Sequence, residues 1–514
     1  MKDKHTNSDS RSLLFPVAIN KDFWTVYAVP KDIEDKEETV EKLSPLLGLD
    51  TVALMERLSK KDDPYEPLRN KVDEETANKI KTLNLKGINF EEESWRYFPA
   101  NELACQIVGF VGFDGDKKVG RYGVEEYYEK DLAGKTGFIE AKKDSLGESI
   151  PVADRILSEP EDGVDLILTI DPNVQFFVEQ KLKETIENLQ APSGTIVVME
   201  VKTGAIKAMA SWPNFDPNKY NEVENPRLFL NSAISETYEP GSIFKPITMA
   251  GALNEGAITP STTYEDKGFT EVGGEIIKNA LDRAEGIQTM TQVLEKSLNS
   301  GAIFAQQKLG KDKFEKYVEK FGFGQKTGID LSGEEKGNIS NLKKGGNVEH
   351  ATASFGQGIA VTSIQLITAL SAIANDGVLL RPYIVEKIIY KNGEEKATQP
   401  KEIRRVISSE TASRLTAMMV SVVKNGYSKK AGIEGYSIAA KSGTSQIPDF
   451  EKGGYTDETI HTFGEFFPAF NPQFSLLIKV DKPKGFRFSS DSITPLARQI
   501  AEYILNYYEI PPSQ

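Results

Sequence analysis

One cysteine and three histidines in 514 residues set the first limits on what this chain does. The lone Cys105 allows no intramolecular disulfide and cannot build a cysteine-rich metal site. With only His5, His350 and His461 to draw on, a multi-histidine metal centre or a Ser/His/Asp triad has almost no candidates. Hydrolytic chemistry here needs another base, and no metal or cofactor is expected. Long apolar runs are missing too. The best stretch, 358–374, is broken by Thr362, Ser363, Gln365, Thr368 and Ser371, and it falls short of the roughly 20 apolar residues of a membrane span. It reads as a buried helix. The opening residues, from Met1 to Asp9, also lack the apolar run of a signal peptide. A role outside the cytoplasm therefore calls for an export or anchor segment that this sequence does not contain. Basic residues are in deficit, 62 Lys+Arg against 76 Asp+Glu for a net charge of -14, which argues against a nucleic-acid partner, because a polyanion needs a basic surface to displace its counterions. An anionic ligand must be met by local cations.

What is present is ordinary globular composition, 39% hydrophobic and 27% charged, in a chain long enough for two to four domains at roughly 100–200 residues each. Residues 1 to about 158 mix strand-like runs such as Phe23 to Val29 with charged helical stretches at 35–47 and 72–83. The run Ser158-Glu159-Pro160-Glu161-Asp162-Gly163 has linker chemistry and predicts a boundary near 158–163. Beyond it, Val164 to Ile170 reads as a strand, Asp171-Pro172-Asn173 caps a helix through Leu189, and strands at 193–200 and 205–211 form a hairpin. Helices are expected at 242–253, 288–309, 361–374, 410–424 and 494–508, with strands at 436–445, 461–467 and 474–480. Strands at both ends with helices between predict an α+β fold in which one antiparallel sheet, flanked by helices, joins the two ends.

Three short patterns carry chemistry. Ser242-Ile243-Phe244-Lys245 opens a helix just after Pro240-Gly241, so the lysine amine shares a face with the serine hydroxyl and can serve as its base. Other Ser-x-x-Lys matches are less well placed, Ser340/Lys343 in a glycine- and lysine-rich loop and Ser421/Lys424 late in a helix. Ser297-Leu298-Asn299 sets a hydroxyl for passing protons beside an amide for hydrogen-bonding a substrate amide. Lys441-Ser442-Gly443 continues a strand and adds hydroxyls at Thr444 and Ser445, which suits a carboxylate-binding edge strand. The same tripeptide pattern at Lys135-Thr136-Gly137, Lys202-Thr203-Gly204 and Lys326-Thr327-Gly328 falls in turns or upstream of the linker. Each residue also has a plainer reading: Ser242 as an N-cap, Lys245 as a solvated helix lysine, Asn299 as a helix terminator, Lys441 as an edge charge against aggregation.

In this order the three patterns resemble penicillin-binding proteins and serine β-lactamases. Tyr238-Glu239-Pro240-Gly241-Ser242, Phe321-Gly322-Phe323-Gly324 with Thr327-Gly328-Ile329-Asp330-Leu331, and Gly356-Gln357-Gly358 sharpen this to class B penicillin-binding proteins, with the division-type branch most similar. Residues 163–514 carry the resemblance strongly, and Gln106 to Gly109 and Gly123 to Gly134 carry it more weakly. It implies a non-catalytic dimerisation or pedestal domain over 1–158 and a transpeptidase domain over 159–514. The implied activity is peptidoglycan D,D-transpeptidation through an acyl-enzyme on Ser242, with Lys245 as base, Lys441 as second cation and Ser297 as proton relay. Asn299 would hold the stem-peptide amide, Ser442, Gly443 and Thr444 would receive the terminal carboxylate, and backbone N–H groups of Ser242 and Thr444 would form the oxyanion hole. The implied partners are D-Ala-D-Ala stem peptides, β-lactams as covalent inhibitors, and a glycosyltransferase with other division or elongation proteins. The implied place is the extracytoplasmic face of the bacterial plasma membrane, although the family's anchor helix is absent from this sequence. Two further readings stay open: a serine hydrolase such as a D,D-carboxypeptidase or β-lactamase, and a non-enzymatic β-lactam sensor or division scaffold. Ser442 stands where the family more often has threonine, and His461 where it has a small residue, for which a packed or exposed histidine is expected rather than a catalytic one.

Overall fold

The computed structural model describes residues 14–61, 63–115, 117–135, 137–140, 156–159, 161–449 and 451–512. They form two compact units, Met1–Asn101 and Glu102–Gln514. In the first, β1 (Ile19–Ala28), α1 (Lys36–Leu47), α2 (Thr51–Leu58), β2 (Glu66–Val72), α3 (Glu74–Thr82) and β3 (Ile88–Tyr97) follow one another. The strands form an antiparallel sheet of order β2-β1-β3. Each helix starts on an aspartate, Asp35, Asp50 or Asp73, whose carboxylate accepts backbone N–H groups that have no partner within the helix. Val26, Leu43, Leu54, Leu58 and Ile80 fill the core.

The second unit begins upstream of the compositional break at 158–163, and packing explains the difference. Gln106 Nε2 donates to Pro213 O at 3.0 Å, Glu179 accepts the Ala104 N–H at 2.8 Å, and Phe110 stacks on Tyr220 with centroids 4.4 Å apart. Residues from 102 onward are thereby built onto the large unit, a tie that composition does not register. Thr136 and Pro160 lie outside the described residues.

The large unit is the expected α+β layer structure. The elements that frame it are, in chain order, α4 (Pro172–Asn188), β4 (Ser193–Glu200), β5 (Ile206–Trp212), α5 (Lys245–Asn254), α6 (Met290–Lys296), α7 (Asn299–Leu309), α8 (Ser363–Ala374), α9 (Ser409–Lys424), β6 (Ala439–Pro448), β7 (Tyr455–Phe467), β8 (Phe474–Asp481) and α10 (Thr494–Tyr507). The five strands make one antiparallel sheet of order β5-β4-β8-β7-β6. The N-terminal hairpin thus pairs with the C-terminal strands, and β6 lies on an edge. On one face, Val174, Val178 and Leu182 of α4 and Leu496, Ile500 and Ile504 of α10 close over Val198, Phe463 and Leu476. Across the sheet runs the all-buried α8, whose Leu370 lies against Gly464. The strand expected at 164–170 forms at Asp165–Leu168 but pairs with Val385–Ile389 in a separate small sheet. Among the described residues, no helix is long and apolar enough to cross a membrane.

Candidate active site

The chain reaches Ser242 through a clamped turn. Gly241 has φ +64°, a left-handed conformation that costs a side chain dearly, and its N–H donates to Gly356 O at 3.0 Å. Gly241–Phe244 is a 3₁₀ turn, and α5 starts at Lys245, so the helix expected from Ser242 begins one tighter turn late. Three residues per turn eclipse positions i and i+3, which brings Ser242 and Lys245 to one side. Gly443 of β6 seals the turn from beside: a Cβ there would lie 2.4 Å from Thr462 Oγ1, 2.9 Å from Pro240 O and 3.0 Å from Ile243 N.

The apolar pattern of 288–309 predicts one long helix, but Ser297 adopts φ +57° and parts α6 from α7. That break builds the site. It turns the Ser297 carbonyl to Lys245 Nζ at 2.5 Å and its hydroxyl to both Lys245 Nζ, at 3.3 Å, and Lys441 Nζ, at 3.0 Å. Lys441 reaches in from β6 and also donates to Ser442 O at 2.8 Å. Neither lysine is solvated: Lys245 is 0% exposed and Lys441 1%. The plainer readings of both as surface charges are therefore excluded. Burial holds the Lys245 amine well below its ordinary range, and the neighbouring Lys441 charge lowers it further. Burial takes Lys441 down to about 7. Ser242 Oγ, half-buried, has no hydrogen-bond partner among the described residues, so Lys245 is bonded to Ser297 rather than to the serine three residues before it.

A cleft of about 710 Å³ opens over Ser242, Ser297, Asn299, Ser442 and Thr444. Asn299, at the first position of α7, donates its side-chain amide to Lys278 O at 3.0 Å. The Thr444 hydroxyl is held by Ser489, whose N–H donates to Thr444 Oγ1 at 3.0 Å. Ser489 and Arg487 also line the cleft, outside the residues the three patterns predict; the hydroxyl-rich run Ser489-Ser490-Asp491-Ser492 before the last helix is the sequence signal for Ser489. His461 is packed, as expected, at 0% exposure. The competing Ser-x-x-Lys pairs lie elsewhere: Ser340 and Lys343 are in a short helix, Ser340–Lys344, rather than a loop, and Ser421 donates to Glu295 Oε1 at 2.5 Å. Thr327 and Gly328 of one rejected tripeptide give their N–H groups to Glu334. Among the described residues, no cluster of three His, Cys, Asp or Glu side chains is placed to hold a metal ion.

A buried amine beside a solvent-facing serine, a second buried cation and a shared hydroxyl between them can remove, relay and return a proton without a histidine. The family model described as penicillin binding protein transpeptidase domain matches residues 194–502, and the one described as penicillin-binding protein dimerisation domain matches residues 14–168. Stage V sporulation protein D of Bacillus subtilis is 36% identical over 492 residues, 94% of this chain and 75% of that protein. Peptidoglycan D,D-transpeptidase FtsI of Buchnera aphidicola is 30% identical over 97% of this chain and 86% of its own length. The crystal structure of penicillin binding protein 3 from Mycobacterium tuberculosis complexed with ampicillin superposes with a TM-score of 0.74 at 29% identity, covering 82% of this chain and 91% of that one.

Proposed function

The chain belongs to the class B penicillin-binding proteins, a dimerisation domain followed by a transpeptidase domain, and we propose that it cross-links peptidoglycan stem peptides through an acyl-enzyme on Ser242. What carries this reading is the convergence of Lys245 and Lys441 on Ser297, beside a serine hydroxyl that faces the cleft.

Neutral Lys245 takes the Ser242 proton as Oγ attacks the penultimate D-Ala carbonyl. Lys245 must exchange its bond to Ser297 for one to Ser242 as substrate enters, a tightening common in such sites. Backbone N–H groups of Ser242 and Thr444 stabilise the oxyanion, a contact worth about 3–4 kcal/mol where a single donor has been removed in other enzymes. The Ser297 hydroxyl passes a proton to the departing D-Ala nitrogen and is refilled from a lysine. Asn299 holds the stem-peptide amide, and Ser442, Gly443 and Thr444 form the strand that receives the terminal carboxylate. The amine of a second stem then attacks the ester and gives up a proton to Lys245, which returns it to Ser242 Oγ as the ester C–O bond breaks, freeing the serine and restoring neutral Lys245. β-Lactams, strained mimics of the same dipeptide, acylate Ser242 and remain.

We assign residues 1–158 to the dimerisation or pedestal domain and 159–514 to the transpeptidase domain. The working place is the extracytoplasmic face of the bacterial plasma membrane, within a division-type complex that includes a glycosyltransferase. Intact-mass analysis after incubation with a fluorescent penicillin tests the chemistry. One adduct on wild type and none on Ser242→Ala is expected; no wild-type adduct, or one that persists in the variant, overturns the assignment. Rapid loss of the adduct would mark a hydrolase instead.

A further inference from the structure

His461 sits on β7 directly opposite Thr444 of β6, so the two side chains share one face of the sheet. Its Nδ1 lies 2.7 Å from Ser492 Oγ, and Nε2 has no partner among the described residues. Burial takes the ring down to about 4, so it is neutral imidazole at neutral pH. Ser492 ends the short helix Ser489–Ser492, and the first residue of that helix grips Thr444. The Ser489 N–H donates to Thr444 Oγ1 at 3.0 Å, and the Thr444 hydroxyl donates to Ser489 Oγ at 3.3 Å.

A single helical turn has no stability of its own and stays in place only through its tertiary bonds. This one is fastened at its first residue to β6 and at its last to β7. The exposed pair of Asp491 with Lys430 adds little. Threonine can place either its hydroxyl or its methyl in a given direction by changing χ1, and the Ser489 N–H selects the rotamer that keeps the hydroxyl at the turn. If the turn slips, that selection is lost, and Ser489, which also lines the cleft, moves with it.

Resting on the transpeptidase reading, we propose that His461 is a positioning residue: through Ser492 it fixes the Ser489–Ser492 turn, the turn fixes the Thr444 and Ser489 hydroxyls, and the site thereby discriminates in favour of a free substrate carboxylate. His461 does this without touching substrate.

The test compares acylation rates of the full chain by benzylpenicillin and by its methyl ester, followed by intact mass. Ser492→Ala and His461→Leu are expected to lower the free-acid rate roughly tenfold, the worth of about one hydrogen bond, and to leave the ester rate unchanged. His461→Asn, whose side-chain amide reaches the position of Nδ1, restores most of the acid preference. A loss of purely structural support would lower both rates together, and that result overturns the proposal, as does an unchanged acid-to-ester ratio. Ser492→Ala removes one half-buried hydroxyl and decides the matter should His461→Leu not fold. No wild-type adduct with either compound overturns the transpeptidase reading and this proposal with it. A wild-type adduct with unaltered discrimination in the variants overturns this proposal alone.

Discussion

Lys245 and Lys441 donate to the same hydroxyl, Ser297 Oγ, from 3.3 Å and 3.0 Å. Two buried ammonium groups in one site repel each other, and each loses its hydration, so the protein resolves the conflict by favouring the neutral amine. That is the form a base must have.

Removing one cation should therefore be visible in the pH dependence of acylation. In Lys441→Gln the repulsion that lowers Lys245 is gone, so the Lys245 pKa rises and the lysine stays protonated to higher pH. The acid limb of the penicillin acylation profile is expected to move toward higher pH, on top of a lower plateau from the lost cation. A profile that keeps its limb in place would show that Lys441 does not tune Lys245.

The same burial predicts a stability trade. Lys441 falls to about 7 in the folded chain against 10.5 for the free side chain, so between those values the unfolded state binds the proton and the folded state does not. Stability from this group rises with pH through that window and is lost as pH falls to 7. Lys441→Met is expected to melt higher than wild type at pH 7, by about 2 kcal/mol, while losing acylation. Thermal unfolding at pH 7 and pH 9.5 checks this, with the advantage shrinking at the higher pH.

Ser297 separates chemistry from backbone strain. Its left-handed φ costs any residue with a Cβ about 1 kcal/mol, so Ser297→Gly is expected to be more stable than Ser297→Ala by about that amount. Both should lose acylation by about 10²–10³-fold, because both remove the hydroxyl proposed as the proton relay. Urea titration and acylation kinetics on the pair distinguish the two contributions.

Most elements were legible because their signals are local. The Asp171 cap with Pro172, the turn between β4 and β5, and the apolar spacing of α8 and α9 each lie within a few residues of what they specify. The three short patterns are local in the same way, and the fold brings their residues to one cleft. What stayed hidden depends on distant partners. The apolar pattern runs through Ser297 without a gap, and only the demand of Lys245 and Lys441 explains the break. The strand expected at 461–467 begins earlier, at Tyr455, because its mostly exposed and polar first residues pair with β6, Thr459 with Gln446. Residues 102–135 change nothing in composition but pack on the catalytic unit, and Ser489 matters only because Thr444 is beside it.

Gly443 makes close approach testable. A methyl there meets Thr462 Oγ1 and two backbone atoms of the serine turn, so strand and turn must part by a few tenths of an ångström or more. Gly443→Ala is expected to cost about 1–3 kcal/mol and to slow acylation at least tenfold. Adding Thr462→Ala removes the nearest obstacle and should recover part of the loss, while Pro240 O and Ile243 N keep the rest. A double-mutant cycle on melting temperature reads the coupling.

Glu465 offers a prediction away from the chemistry. It lies on β7 between Ala440 and Leu476, both within the apolar cluster under α4 and α10, and neither carboxyl oxygen has a partner among the described residues. Burial pushes its carboxyl up to about 8 from an ordinary value of 4.5. The folded state therefore holds a proton that the unfolded state releases, and the contribution to stability is fully present below pH 4.5 and lost as pH rises through 8. Other buried groups, Lys441 among them, titrate in the opposite sense, so the Glu465 contribution is read as a difference: Glu465→Met, which fills similar volume without a charge, is expected to gain on wild type between pH 5.5 and 8.5 and to exceed it at pH 8.5 by on the order of 2–3 kcal/mol. Melting curves of both proteins at three pH values decide it. Parallel slopes would mean that the carboxylate is relieved in the folded chain, by water or by a rearranged neighbour, and is not the lone buried charge its position implies.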